Sequence, residues 1–317
     1  MDAVTRTGRL RTVSLSVTPV PPFRLDLTVW ALRRRAHNAV DGWDGRKYRR
    51  RFMLESGGVA EVHVVQVAGA ARPRLKVDVR GADLGVAVQR RLLGMVTRSL
   101  GTSIDLQPFY ALAAKDRRLG PLVARYRGLK PPRFPTVFEA LVNGIACQQI
   151  SLHVGITLLN RLAERFGAQG NDSPAFPVPG QLAGRNVSEL RALGFSRQKA
   201  RALIELAGAV VDGRVDLGAL EGLDNAAALR QLLALRGVGR WTAEYVLLRG
   251  LGRVDVFPGD DVGARQRLAR WLGREEPFDY AAVERVTRAW RPYAGLVYFH
   301  LLLHGLEEAC VMQAVAD

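Results

Sequence analysis

Residues 235–263, LRGVGRWTAEYVLLRGLGRVDVFPGDDVG, decide how this chain folds. Gly237 and Gly239 stand two apart between two helical patterns, with Val238 between them. Glycine permits the positive φ of a sharp turn, and the valine anchors that turn to a core. The helix that follows begins with backbone N–H groups that lack intrahelical partners, which makes a ready anion site. On DNA the anion is a phosphate, and the contact reads no sequence. A Gly-x-Gly pair alone is usually a simple turn; apolar–x–Gly–apolar–Gly between two helices is more specific.

Further along the same run, Pro258 and Gly259 precede Asp260 and Asp261 where a new helix opens. Aspartate is favoured at helix starts, so the pair reads as a cap. It reads equally as chemistry. A carboxylate held at a helix N-terminus stays ionised and can stabilise the oxocarbenium-like sugar formed as an N-glycosidic bond breaks. Spacing chooses neither between these roles nor between the two carboxylates.

The composition of the 317 residues bounds the partners. An apolar fraction of 48% is globular and excludes disordered and collagen-like chains. There is no apolar run of about eighteen residues, so a membrane-spanning helix is not expected. The first residues carry arginines without an apolar stretch and do not read as a secretory signal. Cys147 and Cys310 are too few for a disulfide framework, a four-cysteine zinc site or a four-thiolate iron–sulfur cluster. They read as small core residues of a reduced, cytoplasmic chain. Lys+Arg 46 against Asp+Glu 30 leaves +16, which favours a polyanionic partner bound in a salt-dependent way. Nearly all of the excess is arginine, whose planar fork suits phosphate, although an arginine-biased soluble surface has the same composition.

The patterning predicts an α+β chain: an N-terminal antiparallel sheet with helices (residues 1–110), then a mainly helical region (111–317). Residues 11–18, 48–54, 59–67 and 74–80 alternate as strands. Residues 25–36 and 83–100 have helical spacing, the first ending in the basic triplet Arg33, Arg34 and Arg35. After residue 136 nearly everything is helical: 138–151, 152–166, 187–193, 197–211, 225–235, 241–249, 262–272, 280–290 and 296–306. The proline-rich run 127–135, RGLKPPRFP, is a linker or an ordered crossing, and 171–180, NDSPAFPVPG, reads as an exposed loop. Arg49, Arg50 and Arg51 read as a solvent-facing run. His300 and His304 are one turn apart but lack the glutamate of a metalloprotease helix, so no metal or cofactor is expected.

The run 235–263 resembles the helix–hairpin–helix plus Gly/Pro–Asp segment of the DNA base-excision glycosylases, most of all the DNA-3-methyladenine glycosylase II branch. The likeness extends to PPFRLDLTVWALRRR at 21–35, GIACQQIS at 144–151, LGFSRQKARALIELA at 193–207 and WRPYAGLVYFHLLL at 290–303. It implies the same α+β fold, with the helical region 111–317 forming two subdomains that flank a cleft, and makes Asp261 the catalytic carboxylate, with Asp260 the cap beside it. It gives Gly237, Gly239 and Thr242 backbone amides for a phosphate, and puts Trp241 and Tyr245 in the base pocket. Gln149 falls where relatives wedge a side chain into the base stack; with Gln148 it reads equally as a hydrogen-bonded core pair. Leu302 and Gly263 fall where the best-known relative has further pocket residues, and Trp30 is a candidate aromatic from the N-terminal part.

Position 241 separates two chemistries. Relatives that also nick the strand carry a lysine there, which forms a Schiff base with the sugar. Tryptophan is no amine nucleophile, so water is the acceptor and no lyase activity is expected. The resemblance therefore implies a monofunctional glycosylase for alkylated purines, acting as a monomer on damaged double-stranded DNA by base flipping. A glycosylase for oxidised or deaminated bases, or a non-enzymatic helix–hairpin–helix DNA-binding protein, are the alternatives.

Overall fold

Apolar–polar alternation builds the sheet that opens the computed structural model, which describes residues 10–168 and 173–312. The strands are β1 (Arg11–Val17), β2 (Gly42–Trp43), β3 (Lys47–Met53), β4 (Val59–Gln66) and β5 (Leu75–Gly81), antiparallel in the order β1-β5-β4-β3-β2. Register places Val79 between Val13 and Val62, and Val77 between Leu15 and Val64. One face is thus β-branched and apolar. It packs on α1 (Leu25–Arg33) and α2 (Val86–Ser99). The short α3 (Gln107–Ala113) and α4 (Leu119–Arg125) follow; neither these helices nor the two-residue β2 was expected, being too short to show a period.

The helical region comprises α5 (Val137–Cys147), α6 (Leu152–Phe166), α7 (Pro179–Leu182), α8 (Val187–Ala192), α9 (Arg197–Val211), α10 (Asn225–Leu233), α11 (Arg240–Arg249), α12 (Val262–Trp271), α13 (Tyr280–Thr287) and α14 (Ala294–Glu308). The helix expected over 138–151 stops at Cys147, where Gln148 turns extended and Gln149 takes φ +53°.

Two apolar clusters organise the interior, and they do not follow chain order. One joins the sheet and α1–α4 with α12–α14; the other is built from α5–α11. The chain crosses between them over residues 127–135. That crossing is ordered and mostly buried: Lys130 is inside, its ammonium donating to Ile104 O at 2.5 Å. Among the described residues no helix is long and apolar enough to cross a membrane.

Several surface assignments are corrected. Arg50 does not face solvent; it is 1% exposed, with Nη1 2.6 Å from Asp41 Oδ1 and Nη2 2.5 Å from Glu139 Oε2. Strand alternation turns it inward, and α5 supplies the carboxylate that compensates its charge. Residues 173–177 are buried rather than an exposed loop, with Phe176 in the second core, while 171 and 172 lie outside the described residues. Cys310 is exposed, not a core residue.

Candidate active site

The turn expected at 237–239 is present. Gly237 has φ +77°, and a Cβ there would sit 2.7 Å from Ala202 Cβ, so only glycine fits. Val238 is buried, whereas Gly237, Gly239 and Arg240 are exposed. Gly239 is the N-cap of α11 and offers no side-chain acceptor. The first internal bond of α11 is Ala243 N–H to Gly239 O at 2.9 Å, so the amides of residues 239–242 begin the helix ahead of its ladder. Gln148 holds this turn from below, its Nε2 donating to Gly237 O at 2.7 Å and Thr242 Oγ1 at 2.8 Å. Gly144 explains the close approach of the two helices: a Cβ there would lie 2.8 Å from Thr242 Cγ2. The GIACQQIS run is therefore the seat of the hairpin. Gln148 and Gln149 separate in role, for Gln149 is exposed at the loop tip between α5 and α6.

Asp261, not Asp260, is the N-cap of α12; its Oδ1 accepts from Ala264 N at 2.7 Å. This corrects the assignment of the cap to Asp260 and gives one carboxylate both positions. Its other oxygen, Oδ2, accepts from Tyr298 Oη at 3.2 Å, from α14. Asp261 is half-buried rather than turned fully into solvent. Glu244, on the inner side of α11, fixes the loop that delivers it: Oε2 accepts from Gly259 N at 2.9 Å and Oε1 from Tyr280 Oη at 2.8 Å.

Trp241 and Tyr245 lie one turn apart on α11 with ring centroids 5.5 Å apart and planes tilted by 32°. Trp241 is half-buried, and its Nε1 finds no acceptor among the described residues. Tyr245 is buried. Burial pushes its phenol above the ordinary range, Arg34 and Arg249 pull it down, and the charge of Asp261 adds to the rise. Trp30 and Leu302 are packed in the first core, each 3% exposed; from α14 it is Tyr298 rather than Leu302 that reaches Asp261.

Arg34 is the site residue that sequence reading missed. It caps α1 with φ +63°, points inward, and donates from Nη1 to Tyr245 Oη at 2.8 Å and from Nη2 to Asn143 Oδ1 at 2.7 Å. Arg33 is buried as well, its guanidinium donating to Trp43 O and Ala36 O, and within a run of three arginines nothing marks which one reaches Tyr245. Lys199 donates to Ala146 O at 2.9 Å and Gln148 O at 2.7 Å, so it caps the end of α5. Among the described residues no cluster of histidine, cysteine or acidic side chains has the makings of a metal site.

Residues 142–292, which contain the hairpin, Trp241, Tyr245 and Asp261, match the HhH-GPD superfamily of base excision DNA repair proteins. The chain belongs to this superfamily. It is 33% identical over 186 residues to DNA-3-methyladenine glycosylase 2 of Escherichia coli, a match covering 58% of this chain and 63% of that protein. It is 31% identical over 159 residues to DNA-3-methyladenine glycosylase 1 of Schizosaccharomyces pombe, covering 50% of this chain and 67% of the relative. Its fold is that of a 3-methyladenine DNA-glycosylase from Archaeoglobus fulgidus, with a TM-score of 0.80 at 24% identity over 92% of this chain and 97% of the other. The α+β architecture of this HhH-GPD chain is that expected from its sequence.

Proposed function

We propose that this HhH-GPD protein is a monofunctional DNA glycosylase of the 3-methyladenine type, hydrolysing the N-glycosidic bond of alkylated purines in damaged duplex DNA. The observation that carries this reading is the position of Asp261: a half-buried carboxylate on a helix N-terminus, hydrogen-bonded by Tyr298 and delivered by a loop that Glu244 ties to the helix of Trp241 and Tyr245. The names of its relatives support the substrate class.

The amides of the exposed Gly239 and Arg240, which open α11, grip a phosphate, and the arginine-rich surface supplies non-specific affinity. The damaged nucleotide rotates out of the stack, with Gln149, exposed at its loop tip, filling the gap. The base leaves as the C1′–N bond breaks, carrying the bonding electron pair. Asp261 steadies the sugar cation, and water adds to C1′ and loses a proton. Trp241 stacks on the base. With indole at 241 and the Lys199 amine engaged by two carbonyls, no amine of this site forms a Schiff base, so the strand is left uncut. The protein acts as a monomer.

Incubation with methylated duplex DNA, followed by chromatography of the free bases, tests the reading. Release of methylated purines with an intact abasic strand is expected. Strand nicking as the direct product, or binding without any base release, would refute it.

A further inference from the structure

Arg267 differs from every other described arginine whose Nε is buried without an acceptor. Arg33, Arg34, Arg50, Arg98, Arg249 and Arg253 all donate through their terminal nitrogens to a carbonyl, an amide, a phenol or a carboxylate. Among the described residues Arg267 donates to nothing and forms no ion pair.

Two glycines build the seat of this side chain. Gly263 lies four residues before Arg267, on the same face of α12, and helical side chains lean back toward the N-terminus. A Cβ on Gly263 would lie 3.2 Å from Arg267 Nη1 and 3.3 Å from Asp261 Oδ1. Guanidinium and carboxylate therefore border one hollow, yet Asp261 takes its hydrogen bonds from Ala264 N and Tyr298 Oη. On the other side a Cβ on Gly305 of α14 would lie 2.7 Å from Arg267 Cδ, so the stem can cross α14 only where that helix carries glycine.

The surroundings are basic and open. Arg267 is half-buried and borders a surface cavity of about 200 Å³ between α12 and α14. Glu308, which lines the same cavity, is already shared by His304 Nε2 at 3.4 Å and Arg270 Nη1 at 3.7 Å. Burial holds the Arg35 guanidinium below its ordinary range, and repulsion from Arg267 adds to the fall. Val262, next to Asp261, is 58% exposed, so α12 starts on uncovered surface. A guanidinium seated in this way, facing a second cation and given no carboxylate, suits an anion with several acceptor oxygens. Phosphate is the anion whose geometry the planar fork matches.

We propose that Arg267 binds a backbone phosphate of the nucleotide whose sugar faces Asp261, a second phosphate contact besides that of the hairpin amides. The inference rests on the glycosylase reading and adds the group that holds the target nucleotide's own backbone. With the phosphate in place the charge of the guanidinium is neutralised, and that of Asp261 is left to the sugar cation.

The test is a binding cycle on duplexes that carry a reduced abasic site. An uncharged methylphosphonate replaces either phosphate flanking that site, or one remote from it. In the unaltered protein one flanking replacement weakens binding by about tenfold. R267M keeps an apolar stem against Gly305 and loses the charge; it binds the unmodified duplex about tenfold less well, and that same replacement costs it nothing more. The slope of log affinity against log salt falls by about one in R267M and is kept in R267K. A remote replacement weakens both proteins alike. R267M that binds like the unaltered protein, or that loses as much as it does at both flanking positions, overturns the proposal. If R267M melts below the assay temperature, R267Q is read in its place, and failure of both to fold marks Arg267 as structural and overturns the proposal. The cycle reads binding alone. Absence of base release from methylated DNA by the unaltered protein is thus the separate failure of the glycosylase reading, and it ends this inference with it.

Discussion

Glu244 Oε2 accepts the Gly259 N–H at 2.9 Å, so the helix that carries Trp241 and Tyr245 also holds the loop that delivers Asp261. The same carboxyl accepts from Tyr280 Oη, and a Cβ on Gly259 would lie 2.8 Å from the Tyr280 ring. Glu244, Gly259 and Tyr280 therefore act as a clasp between α11, the Asp261 loop and α13. Replacing Glu244 with alanine leaves the Gly259 amide without its partner, at about 1–3 kcal/mol. A displacement of about 1 Å at Asp261 lowers base release by about a hundredfold. Affinity for an abasic-site duplex stays nearly unchanged in E244A, because the hairpin amides are untouched. E244Q, whose amide oxygen still accepts from Gly259, recovers much of the rate. Equal loss of rate and DNA affinity in E244A would show a general unfolding instead.

Asp261 caps α12 with one oxygen and meets Tyr298 with the other. Asparagine caps a helix about as well as aspartate but carries no charge. D261N therefore separates the two roles. It keeps the melting temperature within a degree or two while base release falls about 10²–10³-fold, the cost of removing one electrostatic stabiliser. DNA binding measured by fluorescence anisotropy is retained. A variant that binds and releases bases normally would leave Asp261 as a cap alone.

Gln148 donates to both Gly237 O and Thr242 Oγ1, on the two sides of the hairpin turn. Q148A removes both bonds, loosens the amides that face the phosphate, and weakens binding to undamaged and damaged duplex by about tenfold alike, since the contact reads no base. The slope of binding against salt stays the same, as no charge is lost. Titration at several salt concentrations checks both points; an effect confined to damaged DNA would place Gln148 in lesion recognition instead.

How much of this was legible in the sequence depends on the length of the signal. The Val62, Val64, Val77 and Val79 alternation marks its strands within a residue or two because period 2 persists across each one. Arg197–Val211 has a serine cap at one end and apolar spacing throughout, and it forms as expected. The turn and a helix start at 260–261 are legible because glycine and helix-cap chemistry are local, but spacing did not tell Asp260 from Asp261, and the cap is Asp261. Arg34 and Arg50 are not: whether an arginine turns inward depends on partners distant in sequence, Tyr245 for one and Glu139 for the other. Glu244 was likewise silent, since its partners Gly259 and Tyr280 come from another loop and helix. Trp30 has the right residue type for a pocket, but α1 is buried on nearly every side and Trp30 packs into the first core.

The buried group formed by Arg50, Asp41, Glu139 and Tyr48 ties the sheet to α5, and α5 seats the hairpin. Removing one partner strands a buried charge. E139A lowers stability by about 3–5 kcal/mol, read as a shift in the urea midpoint with an unchanged slope. Simultaneous replacement of Arg50 and Glu139 by apolar residues of similar volume costs less than the sum of the single changes, because no ion is left unpaired. Additive losses would show that the two side chains do not act as a pair.

His300 supplies a pH dependence with a definite sign. It is wholly buried on α14; its Nδ1 lies 2.8 Å from Leu296 O, and burial pushes its pKa down to about 4. The unfolded chain takes up the proton near the usual histidine value of about 6.5, whereas the folded chain refuses it until about 4. Between those limits the unfolded state binds more protons, so stability falls as pH drops through the window, by an amount on the order of 3 kcal/mol at its lower end. Above about pH 7 the contribution is flat. Urea midpoints measured from pH 7 down to 4 show the decline, and H300Q, which cannot be protonated, removes that part of the slope. A wild-type slope that H300Q leaves unaltered would assign the acid sensitivity to the carboxylates instead.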